Sequence, residues 1–166
     1  MLAEGSLTGS NNIHIANTGN AGDAAAIKIG TQGTQTSCLI AGISSATSTS
    51  GVAVLVNASG VLGTTTSSER FKNTISTIPA ERAAKIHNLR PVDFYYNDDA
   101  DHQYPQCGLI AEEVLLQFPE FVVYDLDGQI QTIQYQQLWP ILLREVQIQK
   151  QRIDELETRL ANANIP

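Results

Sequence analysis

Residues 139–160 read WPILLREVQIQKQRIDELETRL, a stretch with apolar residues at alternating spacings of three and four. This spacing is the a/d pattern of a coiled coil. It predicts one long C-terminal helix within residues 137–166 that associates through the stripe Trp139, Leu142, Val146, Gln149, Ile153, Leu156 and Leu160. The charged residues Lys150, Arg152, Glu157 and Arg159 occupy the flanking e and g positions.

A single amphipathic helix packed on its own domain would show nearly the same period, so both structures stay open at this point. The polar Gln149 on the stripe favours the oligomer. A buried polar residue at a core position can set the register and the number of helices in a coiled coil.

Residues 1–65 differ from the rest of the chain in composition. Gly, Ala, Ser, Thr and Asn dominate this segment, and Lys28 is its only basic residue. Short apolar runs with period-2 alternation predict β-strands separated by Gly- and Asn-rich turns, at Ile13–Ile15, Ala26–Ile29, Cys38–Ala41 and Val52–Val56.

Each of these strands has one apolar face that needs a partner. Three identical chains around a common axis would bury those faces in a β-stalk of the β-prism or triple β-helix type. A monomeric β-sandwich is the alternative, although sandwiches usually have longer strands and more aromatic residues.

Residues 66–136 predict a small mixed α/β domain. Helical patterns occupy Pro79–Leu89 and Leu109–Leu116, and Val92–Tyr96 alternates as a strand. Asp127-Gly128, a dipeptide typical of tight hairpins, stands between two further strand patterns, Phe121–Tyr124 and Gln129–Ile133. The predicted fold class is therefore α+β, with a β-stalk, a mixed α/β domain and a C-terminal coiled-coil helix.

The charge of the chain argues against nucleic acid as a partner. The formal net charge is −7, and no cluster of Lys and Arg is present to bind phosphates. No apolar run approaches membrane-spanning length, so we expect no membrane insertion. The start of the sequence lacks the basic and apolar regions of a signal peptide.

Nothing in the sequence predicts a metal or another cofactor. Cys38 and Cys107 lack metal-ligand spacing, and we expect both to be small buried side chains. The three histidines have no spaced partners. The acidic loop Asp98–Asp101 lacks the Gly and terminal Glu of an EF-hand, which favours a solvated turn over a calcium site.

Residues 66–75 read TSSERFKNTI. The spacing of Ser67, Arg70 and Lys72 resembles the Ser-x-x-Arg-x-Lys signature of the intramolecular chaperone family, also called peptidase S74, known from endosialidase tail spikes, phage fibres, bacterial surface fibres and the myelin regulatory factor. Leu89–Phe94 resembles the Leu-x-Pro-Val-x-Phe strand of that family, and Gly108–Val114 its Gly-Leu-Ile-Ala-Glu-Glu-Val helix. The resemblance covers about residues 65–160.

This resemblance implies a homotrimer that aligns an upstream fibre and then cuts itself off through a Ser-Lys dyad. Ser67 would be the nucleophile, Lys72 the base and Arg70 the basic residue between them. The cleavage junction would comprise Thr66, Ser67 and Ser68, with the bond after Ser67 favoured over the bond before it. Many members have Asp where this chain has Ser68. The implied location is a virion tail fibre or a bacterial cell surface.

The chemistry of these residue types agrees with that role. A serine hydroxyl needs a base to become a nucleophile, and a lysine serves when burial or a neighbouring cation disfavours its protonated form. Arg70 is a candidate for that cation. Such a site would need no cofactor and would act once, as a single-turnover serine peptidase on its own chain.

Two plainer interpretations remain open. Ser67–Glu69 could be a linker that leads into a helix with a serine as N-cap, and Lys72 a surface charge. Alternatively the domain could be a permanent trimerisation cap of an adhesive fibre in which Ser67 and Lys72 are idle. A hydrolase acting on external substrates is disfavoured, because the sequence offers no recognisable oxyanion hole or substrate pocket.

Overall fold

A computed structural model of the chain describes residues 9–163. The chain divides after Thr65 into two compact units.

The first unit consists of two small sheets joined by turns. Strands β1 (Ile13–Ile15) and β2 (Ile27–Ile29) pair in parallel, and β3 (Leu55–Val56) pairs antiparallel with β4 (Leu62–Gly63). The prediction of a strand at Cys38–Ala41 is wrong, because no strand forms there. The chain leaves extended structure at Gly42, whose φ of 79° is the left-handed conformation of a turn.

The parallel pair β1–β2 has one polar and one apolar face. Its register places His14 opposite Lys28 and the isoleucines opposite one another. On the polar face the Asp23 carboxylate accepts a hydrogen bond from Lys28 Nζ at 2.7 Å and lies 3.3 Å from His14 Nε2. On the opposite face each isoleucine is more than half exposed: Ile13, Ile15, Ile27 and Ile29.

The first unit has no hydrophobic core of its own. Between residues 9 and 65 no residue is buried. Because hydrophobic burial is the main favourable term in folding, these strands gain little of it within one chain.

The second unit contains the mixed α/β structure that the sequence predicts. Helix α1 (Ala80–Ala84) continues into a 3₁₀ turn (Lys85–Asn88), and α2 spans Ala111–Leu115. Two antiparallel pairs accompany these helices, β5 (Val92–Phe94) with β6 (Gln106–Gly108) and β7 (Val122–Tyr124) with β8 (Ile130–Ile133). Further 3₁₀ turns lie at Glu69–Phe71 and Pro119–Phe121, and the long helix α3 spans Tyr135–Asn162.

The hairpin β7–β8 forms around Asp127-Gly128, as its turn chemistry predicts. The Asp125 carboxylate accepts hydrogen bonds from the backbone N–H groups of Asp127 and Gln129. Gly128 has a φ of 76°, which residues other than Gly adopt only rarely.

The core of the second unit lies where α2, the hairpin and α3 meet. The rings of Phe118 and Phe121 stack with their centroids 5.2 Å apart, and Phe118 is fully buried. The remaining members of the buried cluster are Val114, Val122, Ile133 and Ile141.

Helix α3 uses one line of side chains for its own domain and leaves the neighbouring line uncovered. Ile141 and Glu145 are buried, and Leu138 and Ile148 are half-buried beside them. The predicted stripe is exposed instead. Its apolar members Trp139, Leu142, Val146, Ile153, Leu156 and Leu160 are 42–70% exposed. Packing on the domain and an available stripe therefore coexist on one helix.

The predicted burial of the cysteines is wrong. Cys38 and Cys107 are both exposed and unpaired. Cys38 lies in the turn-rich part of the first unit, and Cys107 lies on β6, whose two-stranded sheet gives little cover. Among residues 9–163, no helix combines the length and the hydropathy needed to cross a membrane.

Candidate Ser-Lys site

A tight turn brings the two predicted dyad residues into contact. In the 3₁₀ turn Glu69–Phe71, the N–H of Phe71 donates to the carbonyl of Ser68 at 3.0 Å. The N–H of Lys72 donates to the carbonyl of Glu69 at 2.9 Å. This turn reverses the chain, and Lys72 Nζ donates a hydrogen bond to Ser67 Oγ at 3.2 Å.

This contact joins a hydroxyl to an amine at a distance suited to proton transfer. When the amine is neutral it can accept the hydroxyl proton, which makes the serine oxygen a nucleophile. Both side chains are exposed in the single chain.

Arg70 has an aromatic partner that the sequence analysis did not identify. Its guanidinium carbon lies 4.6 Å from the centroid of the Phe71 ring, a cation–π contact. The sequence signal for this contact was that Phe71 directly follows Arg70. The predicted role of Arg70 as the cation beside Lys72 stays a prediction.

Ser68 precedes the turn but does not cap it through its side chain. It occupies the N-cap position with extended backbone angles, and its hydroxyl makes no capping hydrogen bond. The alternative in which a serine serves as N-cap of this turn therefore receives no support from Ser68.

A second polar cluster lies beside α3. Glu145 Oε1 is 2.8 Å from His87 Nε2 and accepts a hydrogen bond from Gln149 Nε2 at 3.0 Å. Only 9% of the Glu145 side chain is exposed. The hydrogen bond to His87, followed by that to Gln149, lowers the pKa of Glu145 below its ordinary value, against the opposing effect of burial.

Sequence reasoning missed this cluster because its members are distant in the chain. His87 and Glu145 are separated by 58 residues, and His87 had no spaced partner to mark it. The three residues of this cluster also line a groove of about 540 Å³ beside α3. The apolar walls of the groove are Ile86, Leu89, Pro91, Leu109, Tyr135, Leu138, Trp139, Leu142 and Val146.

We expect Glu145→Gln to weaken the dependence of stability on acid pH. A carboxyl whose pKa is lowered by folding stabilises the protein above its unfolded pKa and loses that contribution as the pH falls through the folded value. The wild-type melting temperature should therefore drop below about pH 4.5 more steeply than that of the variant. Thermal melts at several pH values between neutral and acid would measure the difference. Parallel curves for both proteins would contradict the expectation.

Comparison with known families places this site in a recognised domain. Residues 67–123 match the model of the peptidase S74 family, described as the chaperone of endosialidase. The chain is similar to that family over these residues. No curated protein matches the chain.

The matched part of the chaperone-of-endosialidase domain begins at Ser67 itself and includes Lys72. It ends at Val123, within β7, so the hairpin partner β8 and α3 lie outside it. The Ser67–Lys72 contact is therefore a feature of the family segment, whereas the exposed stripe is a feature of the residues that follow it.

Proposed function

We propose that this chain is an intramolecular chaperone that assembles as a homotrimer and guides the folding of a β-stalk. After assembly it releases itself by cutting its own chain at Ser67. Ser67 acts as the nucleophile and Lys72 as the base of a single-turnover serine peptidase, without a cofactor. The setting we propose is a tail fibre of a virion or a fibre on a bacterial surface.

The observation that carries this proposal is the hydrogen bond between Lys72 Nζ and Ser67 Oγ at 3.2 Å. It occurs at the first residue of the segment that matches the chaperone of endosialidase. A nucleophile and a base within hydrogen-bond reach are the minimum that an acyl-transfer site requires.

Two apolar surfaces support the assembly of identical copies. The isoleucine face of β1–β2 is more than half exposed, and residues 9–65 include no buried residue. The stripe of α3 is likewise uncovered in the single chain. Contiguous exposed apolar surface is typical of interaction sites.

Assembly would also regulate the cut. Ser67 and Lys72 are exposed to solvent in one chain, and burial in general disfavours the charged form of a lysine. Neighbouring copies that cover the junction would remove that solvent, and cleavage would then wait for correct assembly. Attack of Ser67 Oγ on the Thr66 carbonyl would pass through a five-membered ring and replace the amide between the two residues by an ester with a free Ser67 amine. Water would then have to hydrolyse that ester to separate Thr66 from Ser67. We favour the bond after Ser67 by analogy with the processed fibres of the family.

A second candidate is a structural trimerisation cap that never cuts. The exposure of Ser67 and Lys72 favours it, because the single chain does not shield this pair from solvent, and Arg70 lies against the Phe71 ring. In this case the same surfaces would hold three copies together permanently.

Native and denaturing masses of the full chain distinguish these functions. We expect light scattering of the native protein to give the mass of three copies. Intact mass spectrometry after denaturation should give two fragments that divide beside Ser67, and their masses will identify the bond. A native trimer that stays whole would favour the structural cap. A whole monomer at micromolar concentration would contradict both functions.

A further inference from the structure

The exposed stripe of α3 is flanked by two lines of side chains with opposite sequences of charge. If Trp139 and Val146 are a positions, the residues just before each a position form one flank, and those just after each d position form the other. The first flank reads Leu138, Glu145, Arg152, Arg159, and the second reads Leu143, Lys150, Glu157.

These two flanks are complementary when α3 helices lie parallel and in register. In that arrangement each g residue faces the e residue of the following heptad on the next helix. The resulting contacts join an apolar pair and two pairs of opposite charge: Leu138 with Leu143, Glu145 with Lys150, and Arg152 with Glu157. A slip by one heptad would place Glu145 against Glu157, or Arg152 against Lys150, and like charges repel.

We infer that the occupant of the exposed stripe is α3 of a second copy, parallel and in this register, with Arg152 of one copy paired to Glu157 of the next. This inference rests on the proposed homotrimer. Each helix offers its g flank to one neighbour and its e flank to the other. Such a head-to-tail contact closes into a ring when the copies are related by threefold rotation.

The structure leaves Arg152 and Glu157 available, whereas Glu145 is buried and Leu138 is half-buried. Arg152, Glu157 and Lys150 are exposed, and Leu143 is 58% exposed. Every residue from Gln149 to Ala163 is exposed. Lys150 pairs within its own helix with Asp154, and Glu145 with His87. Arg152 and Glu157 form no ion pair within residues 9–163, so exchanging their charges breaks no ion pair of the single chain.

The groove beside α3 provides the apolar end of the same contact. Its lining includes Tyr135, Leu138 and Trp139 of the helix together with Leu89 and Pro91. Leu143 is not part of its lining, because it projects from α3 on the other side of the stripe. Leu138 and Leu143 therefore lie on different sides of the stripe. In the parallel arrangement Leu138 of one copy would contact Leu143 of the next.

Charge exchange tests the pairing in the full chain, made uncleavable by Ser67→Ala. Arg152→Glu and Glu157→Arg should each raise the concentration at which the trimer dissociates by about tenfold, since each replaces three attractions with three repulsions. The double exchange should restore dissociation to nearly the original concentration. Glu155→Arg, a reversal at a position away from both flanks, should leave it unchanged. Analytical ultracentrifugation at low salt would measure the dissociation concentration of the four variants beside that of the parent chain.

The outcomes separate this inference from the proposed function. The pairing would be overturned, and the trimer retained, if neither single exchange changed the concentration at which the trimer dissociates. The same conclusion would follow if the double exchange failed to restore that concentration. A parent chain that stays monomeric would overturn the trimer and the pairing with it. An equal effect of Glu155→Arg would show that net charge rather than this contact is responsible, and would also overturn the pairing.

Discussion

Ser67→Ala is expected to leave the chain whole under conditions in which the wild-type chain is cut. The substitution removes the only hydroxyl that Lys72 Nζ contacts in the described part of the chain, and the fold should tolerate it because Ser67 is exposed. Loss of the nucleophile of a serine peptidase slows the reaction by at least about 10³-fold. Intact mass after denaturation should therefore show a single species over any practical incubation.

Substitutions at Lys72 should give the same result for a different reason. Lys72→Ala removes the base, and Lys72→Arg keeps the positive charge on a group that stays protonated at any ordinary pH. We expect both variants to remain uncut while keeping the native mass of the parent. A charge needed only for structure would instead be replaced successfully by arginine, so cleavage in Lys72→Arg would contradict the role of base.

Ser68→Ala is the matched control for these variants. It deletes an exposed hydroxyl beside the nucleophile, and that hydroxyl makes no capping hydrogen bond. Cleavage should continue in this variant. If Ser68→Ala blocked cleavage and Ser67→Ala did not, the nucleophile would be Ser68 rather than Ser67.

Phe118→Ala is expected to have the largest effect on stability. Phe118 is fully buried and stacks on Phe121 within the cluster that joins α2, the hairpin and α3. Truncation of a buried phenylalanine costs about 3–5 kcal/mol, because it loses hydrophobic burial and leaves a cavity. Urea unfolding of the Ser67→Ala chain, followed by far-ultraviolet circular dichroism at fixed protein concentration, would measure this loss.

Leu116→Ala provides a comparison from the same segment. Leu116 lies two residues away and is 78% exposed, so its truncation should change stability by less than about 0.5 kcal/mol. Equal losses in the two variants would show that the core is not centred on Phe118. A large loss in Leu116→Ala alone would indicate that a partner covers this leucine.

The sequence predicted most local elements of the second unit, because their signals are local. The pattern at Pro79–Leu89 appears as α1 and the 3₁₀ turn that continues it. The Asp127-Gly128 turn joins β7 to β8 as expected. The predicted strand at Cys38–Ala41 failed, since a short apolar run becomes a strand only where another segment pairs with it.

For the candidate site, the sequence identified Ser67 and Lys72 by their spacing within a family-like motif. It did not determine their separation in space. That distance depends on the 3₁₀ turn at Glu69–Phe71, which reverses the chain between them. The partner of Arg70 was also decided by local packing, in favour of the Phe71 ring.

The sequence by itself determined the period of α3, the alternation of the short strands and the residues available for a Ser-Lys pair. Each depends on neighbours a few positions apart, for which backbone geometry sets the spacing. Only the tertiary structure decided which line of α3 is buried and that His87 contacts Glu145 across 58 residues. Contacts of this kind arise when distant segments pack around a shared core, and no local pattern records which segments will meet.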